Sequence, residues 1–311
     1  MMTSAWRGTL AASASSLIGG ACVAATRLTI DATDPMTLAV LRFGIGTLCP
    51  LPLALLVQRA FVAGRDLLAT AALGVLFFTL FPVLFNAGLA HTTAARGALA
   101  LTTMPVQTLL VAVLLGVENA TRSKMLGAVL AFLGAGVALG GQLDTSAPAG
   151  AWKGDLLMIA SASVGSLYSV LSHRLFTRNP PLALTAWMML SGTLALAGAT
   201  TALIGWAPPS FDATQWAAVL FLGVAGGMAA FYLWALGLRL ATPSRVAVAL
   251  TLNPIAAMAL GTLALGEPLG AAPIVGLATV AAGIVLANRP DGTPDAGRRQ
   301  RQDRLRDRPA E

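Results

Sequence analysis

Along this chain, apolar runs of about twenty residues alternate with short breaks where charges, prolines and glycines collect. The first five runs cover 6–27, 36–57, 67–89, 94–116 and 124–142. After a polar break come 153–173, 182–206, 216–238, 245–265 and 271–288. A helix rises about 1.5 Å per residue, so each run can cross about 30 Å of hydrocarbon. Strands of a membrane barrel would alternate polar and apolar residues in segments of about ten, a pattern this sequence does not have. The runs predict an all-α integral membrane fold of ten transmembrane helices, with connections too short for an inserted soluble domain.

Composition agrees. The chain is 56% hydrophobic and 11% charged, with a mean hydropathy of +0.76. A soluble domain carries about 25% charged residues, so lipid must cover the surplus apolar surface. Cys22 and Cys49 both fall inside predicted spans, where a thiol acts as a small hydrophobe and implies no disulfide framework. The first run is too long for the apolar core of a secretory signal, and it is read as a retained helix.

The start of the first run recurs. Ala5-Trp6-Arg7-Gly8 is matched 146 residues later by Ala151-Trp152-Lys153-Gly154. An offset of 149 superimposes Arg96 on Arg245, Thr102 on Thr251, Pro105 on Pro254, Glu118 on Glu267 and Gly127 on Gly276. The chain therefore reads as two homologous five-helix repeats, 6–142 and 151–288, and a polar tail, 289–311. An odd number of helices per repeat puts the second half into the membrane from the opposite side. With the N-terminus inside, ten cations fall on cytoplasmic segments and three on external ones, setting aside Arg42 and the six arginines after Arg289. That bias places both termini in the cytoplasm of a cell membrane. The tail holds seven Arg and five acidic residues and fits a disordered, solvated extension. The sharper reading puts Arg304, Arg306 and Arg308 against anionic lipid headgroups. The basic pI of about 10.7 follows from topology, and no nucleic-acid partner is expected.

Two five-helix halves, each with a proline followed thirteen positions later by a glutamate, resemble the EamA family of the drug/metabolite transporter superfamily. Arg96 through Gly127, Arg245 through Gly276 and Leu41-Arg42-Phe43 carry the resemblance, which covers roughly 6–288. It implies a ten-helix secondary transporter, commonly an exporter of amino acids, other small metabolites or drugs. The second half has no counterpart of Arg42; Trp187 or Met188 falls there.

Candidate chemistry centres on the interrupted fourth and ninth spans. Pro105 and Pro254 each remove a backbone donor and free the carbonyl four residues earlier. Such breaks survive in lipid where they face protein or a wet cavity, and transporters place substrate there. Gln107 and Asn253 are the strongest candidate substrate contacts, because a primary amide turned to lipid leaves its hydrogen-bonding positions unmet. Thr103, Thr251 and Tyr168 are further polar candidates, and Trp234 an apolar wall. Arg42 is expected to snorkel toward the external headgroups. Gly223/Gly227 and Gly136/Gly140 have the small-xxx-small spacing of close helix contacts, with internal packing as the default and a homodimer contact as the alternative. The pairs Arg96–Glu267 and Glu118–Arg245 are expected to sit at opposite ends of the crossing spans as gating pairs.

Acidic residues sit at or near predicted helix ends, in loops or in the tail, which disfavours a proton relay through the midplane. His91 and His173 also lie at span ends. No hydrolase, metalloprotease or nucleotide-binding motif is present, so an enzyme, a bound cofactor and a metal site are not expected. The expected partners are a small-molecule substrate and the lipid bilayer, with the protein a monomer or homodimer. The competing reading, a non-transporting scaffold or assembly subunit, has no need of duplicated broken helices.

Overall fold

The computed structural model describes residues 3–29, 32–57, 64–92, 94–143, 150–205, 209–265 and 271–289. Glu267 and the tail from residue 290 lie outside the described residues. Helices make up nearly all of the rest. They are α1 (Ser4–Arg27), α2 (Pro35–Leu48), α3 (Pro50–Pro52), α4 (Arg65–Val75), α5 (Phe81–Leu89), α6 (Ala94–Leu101), α7 (Met104–Leu114) and α8 (Arg122–Leu143). The chain continues with α9 (Ala151–Arg178), α10 (Pro181–Leu203), α11 (Ala213–Gly223), α12 (Ala230–Leu240), α13 (Pro243–Val248), α14 (Leu252–Leu265) and α15 (Ala271–Ala287). Among the described residues, seven helical stretches are long and apolar enough to cross a membrane, making this a multi-pass membrane protein. Ile274–Ala287 is apolar but shorter.

Local chemistry explains where helices begin. Asp34 accepts the backbone N–H groups of Met36 and Thr37 at 2.9 Å, and Pro35 occupies the first turn, where its missing donor costs nothing. Asp212 and Gln215 form a reciprocal capping box on α11. Gly116, at φ 65°, ends the turn after α7 in a conformation that favours glycine and redirects the chain toward Glu118.

Glycines set the helix packing. A Cβ on Gly8 would lie 2.8 Å from the Ala241 Cβ and 3.0 Å from the Gly237 carbonyl, so α1 lies directly on α12. At the equivalent positions, a Cβ on Gly154 of α9 would lie 2.6 Å from the Gly88 carbonyl and 2.8 Å from the Thr92 Cβ. Gly154 stands 146 positions after Gly8, and Gly88 and Thr92 stand 149 before Gly237 and Ala241. The same correspondence relates Gly74 against Met188 and Ser191 to Gly223 against Arg42 and Ile45. It also relates Gly127 against Gly283 and Ala287 to Gly276 against Gly134 and Ala138, which join α8 to α15. Backbone-to-backbone approach maximises dispersion where lipid supplies no hydrophobic drive between helices. Of the two spacings noted in the sequence, Gly223 and Gly227 serve this internal packing. Among the described residues, Gly140 meets nothing within 4 Å, and Gly136 only the Leu99 side chain at 3.7 Å.

Among the described residues, three segments are π-helical, Leu53–Val57, Leu76–Leu80 and Val224–Ala229, and nothing in the sequence pattern announces them. The second joins α4 to α5 and the third joins α11 to α12, at equivalent places in the two halves. Between them lies an aromatic core: Tyr168 stacks on Phe77 at 4.3 Å, and Phe78 packs edge-on to Phe231 at 5.0 Å and to Phe43 at 5.3 Å. Arg42 corrects an expectation. It does not reach out to headgroups but turns across to α11–α12, where Nη2 donates to the Gly226 carbonyl at 3.2 Å.

Candidate substrate pathway along the broken helix pair

The proline positions give real interruptions. α6 stops at Leu101 and α7 restarts at Met104 with Pro105 in its first turn. In the other half, α13 gives way to a 3₁₀ turn, Ala249–Thr251, and Pro254 falls in the first turn of α14. Threonines satisfy carbonyls at both breaks. Thr102 Oγ1 donates to the Leu99 carbonyl at 2.6 Å, and Thr251 Oγ1 donates to the equivalent Val248 carbonyl at 2.7 Å. Thr103 Oγ1 donates likewise to the Ala100 carbonyl at 2.6 Å. At Leu99 and Ala100 the hydroxyl adds to the backbone N–H of the same threonine, which reaches the carbonyl at 3.0 and 3.2 Å, so the polar groups of the break are met within protein.

Gln107 sits at this break and bonds in two directions. Its Nε2 donates to Thr103 Oγ1 at 2.8 Å, and its Oε1 accepts from Ser163 Oγ of α9 at 2.8 Å. One turn along, Ser166 Oγ donates to the Met104 carbonyl at 3.2 Å and accepts from Thr108 Oγ1 at 3.1 Å. The α6–α7 break is thereby fastened to α9. Asn253 occupies a related place against α1, where a Cβ on Gly20 would lie 2.7 Å from its carbonyl. Tyr168 and Trp234 are buried in the aromatic core, and the Tyr168 hydroxyl lies 3.6 Å from Met188 Sδ. Thr251 is fully buried.

The two ends of the α6–α7 unit differ. At the α6 end, an open cleft of about 290 Å³ is lined by Arg96, Leu99, Ala100, Thr103, Phe132 and Asp155. Arg96 grips Asp155 from two nitrogens, Nη2 to Oδ2 and Nε to Oδ1 at 3.3 Å, while Thr92 Oγ1 donates to Oδ1 at 2.7 Å. The cleft thus offers a cation, an anion, a hydroxyl and an apolar wall. Asp155 was missed because a charge near a span end has a ready topological explanation. One signal did mark it: the position 146 earlier holds Thr9, so the repeat does not require an acid there.

At the α7 end the charges are buried. Glu118 is buried and its carboxylate accepts three donors: Ser244 N–H at 2.8 Å, the Ser244 hydroxyl, and Lys124 Nζ at 2.8 Å. Ser244 lies in the first turn of α13, where free N–H groups and the helix dipole favour an anion. The neighbouring Arg245 donates to the carbonyls of Ala287 and Arg289 at 3.2 and 3.1 Å, tying α13 to the end of α15. Of the four expected gating residues, the structure places Arg96 and Glu118 at opposite ends of the α6–α7 unit. Arg96 is held by Asp155, and Glu118 by Ser244 and Lys124.

Comparison with known proteins agrees with this layout. The sequence model of the EamA-like transporter family matches residues 6–140 and again 152–289. The uncharacterized transporter YyaM of Bacillus subtilis (strain 168) is 24% identical over 279 residues, covering 88% of this chain and 90% of its own. A probable terminal-alkyne amino-acid exporter of Streptantibioticus cattleyicolor is 29% identical over 227 residues, covering 72% and 74%. A crystal structure superposes with a TM-score of 0.75 at 22% identity, over 90% of this chain and 96% of its own, and so shares the fold. Two family matches in tandem, over halves whose glycine contacts recur at equivalent positions, establish that this membrane protein belongs to the EamA-like transporter family.

Proposed function

We propose that the chain is an alternating-access exporter of small solutes, among them amino acids, other metabolites and drugs. It crosses the cell membrane ten times as two inverted repeats, with both termini in the cytoplasm. In that topology the Arg96–Asp155 cleft faces outward and the Glu118–Ser244 closure seals the cytoplasmic side. The observation that carries the reading is this asymmetry along one broken helix: an open, mixed-charge cleft at one end and a buried ionic closure at the other. The recurrence of helix contacts under the repeat supports two halves that rock about a shared interface, because equivalent contacts give the opposite opening a similar energy.

Gln107 and Asn253 are the amides that meet the solute between the halves, with Thr103 and Thr251 beside them at the two helix breaks. Tyr168 and Trp234 form the apolar wall behind. Export is favoured by the relative from Streptantibioticus cattleyicolor, whose name gives it that direction and an amino-acid cargo. Reconstitution into liposomes with a panel of radiolabelled amino acids and small metabolites tests the reading. Saturable flux of at least one solute is expected. Absence of carrier-dependent flux for every solute, with correctly folded protein in the vesicles, would refute it.

A further inference from the structure

Arg42 lies within the apolar stretch Pro35–Leu55, about 10 Å along its axis from the first residue. A guanidinium has five N–H donors. One bond, from Nη2 to the Gly226 carbonyl, satisfies one of them, and Nε is buried without a partner. The Phe43 ring centroid lies 5.5 Å from the guanidinium carbon, which eases desolvation but brings no counter-charge. Among the described residues, no carboxylate lies within ion-pair distance of Arg42. Charges inside a membrane are expensive and mark function, and one with most of its donors unused is an unfinished site.

The fold itself does not call for this cation. Under the correspondence that relates Gly74 to Gly223, position 42 falls on Met188, which is fully buried against Gly74. The equivalent π segment, Leu76–Leu80, forms beside that methionine and is joined to α10 through Thr79 Oγ1 and the Gly192 carbonyl at 2.8 Å. A π segment and its tight glycine contact therefore arise with no arginine present. What Arg42 adds is a positive charge between α1, α2 and the α11–α12 unit. A Cβ on Gly226 would lie 3.2 Å from Nη2, so the glycine leaves room for the guanidinium to approach that backbone.

We propose that Arg42 binds the carboxylate of the transported solute and is a specificity-determining residue for monocarboxylates. The donors left over from Gly226 match a planar carboxylate, and one guanidinium neutralises one negative charge. A phosphate dianion would leave the site with an excess charge inside the membrane. This assignment rests on the transporter reading above.

The test uses purified full-length protein and phenylglyoxal, a small uncharged reagent that modifies arginine, with peptide mass spectrometry as the readout. Benzoate and L-leucine serve as monocarboxylate probes, and leucinamide and inorganic phosphate as counterparts. Arg42 should react, and at least one monocarboxylate should slow it along a saturable curve, by about tenfold at ten times its dissociation constant. Leucinamide and phosphate should leave the rate unchanged, and Arg7 and Arg122 should be insensitive throughout. An Arg42 that stays unmodified while Arg7 and Arg122 react, or one that reacts at a rate no monocarboxylate alters, overturns the proposal. Equal slowing by phosphate overturns the monocarboxylate assignment. A second measurement separates binding from scaffolding: Arg42→Met, the residue of the equivalent position, should keep the wild-type melting temperature. A large drop would make Arg42 a structural pin and overturn the proposal. Neither readout needs flux, so failure here leaves the transporter reading intact, and failed transport leaves this measurement interpretable.

Discussion

The Glu118 carboxylate accepts the Ser244 backbone N–H at 2.8 Å, so the end of the first half's broken helix caps the start of the second half's. Lys124 neutralises the same carboxylate from within the first half. Glu118→Ala would remove the carboxylate that faces a buried ammonium and uncap a helix, and breaking a comparable buried pair costs about 3–5 kcal/mol. Glu118→Gln keeps an acceptor for Ser244 and loses only the charge. The melting temperature in detergent should therefore fall clearly for the alanine variant and less for the glutamine. Identical melting of wild type and Glu118→Ala would show that the closure contributes nothing to this state.

The glycine contacts predict a matched pair of effects. A methyl group at Gly74 runs into the Met188 carbonyl and Ser191, and one at the equivalent Gly223 lies 2.5 Å from the Ile45 Cβ. Gly74→Ala and Gly223→Ala should each destabilise by about 1–3 kcal/mol through forced helix separation. Among the described residues, a methyl group at Gly140 or Gly198 meets nothing within 4 Å, so Gly140→Ala and Gly198→Ala should be neutral or stabilising, since alanine is the better helix former. Thermal denaturation of the four variants checks this, and equal behaviour of all four would contradict the packing.

Gln107→Leu separates a binding role from a structural one. The partners of Gln107 have other bonds to rely on: the Ser163 hydroxyl can turn its one proton to the Ile159 carbonyl at 3.0 Å, and Thr103 Oγ1 donates to the Ala100 carbonyl at 2.6 Å. Losing the amide should therefore cost only about 1 kcal/mol of stability. If the amide meets the solute, kcat/KM for transport should drop by about tenfold, the value of one good hydrogen bond. Flux assays beside melting curves decide it: unchanged flux removes Gln107 from the binding site.

The sequence told depth better than direction. Hydropathy orders residues along a span, and the helices are interrupted beside Pro105 and Pro254. Which way a side chain points around the helix is poorly encoded, because lipid and protein interior are both apolar and the helical period carries little contrast. So the partners the structure does show, Asp155 beside Arg96 and Ser244 beside Glu118, are not named by the span pattern. For the same reason the span pattern does not show that Arg42 turns inward, to a place that Gly226 leaves open for it. The repeat does carry direction: the contacts of Gly8 with Gly237 and of Gly154 with Gly88 obey one correspondence, which the aligned starts of the two halves alone do not give. Asp155, with only Thr9 as its equivalent, stands out as an acid that the scaffold does not require.

That extra acid supports the last prediction. Arg96 and Asp155 form a partly exposed pair, with side chains 35% and 23% accessible, at the mouth of the cleft. Exposed pairs contribute about 0–1 kcal/mol, so neither partner is locked and a solute carrying both charges can exchange with them. Arg96→Asp and Asp155→Arg should each leave the melting temperature nearly unchanged but reduce transport, because each puts two like charges at the mouth. The double swap, Arg96→Asp with Asp155→Arg, restores opposite charges and should recover most of the lost flux. Raising salt toward 1 M, where the screening length shrinks to about 3 Å, should narrow the difference between the single variants and wild type. Two outcomes would remove the pair from the transport cycle: single variants that transport like wild type, or a swap no better than either single change.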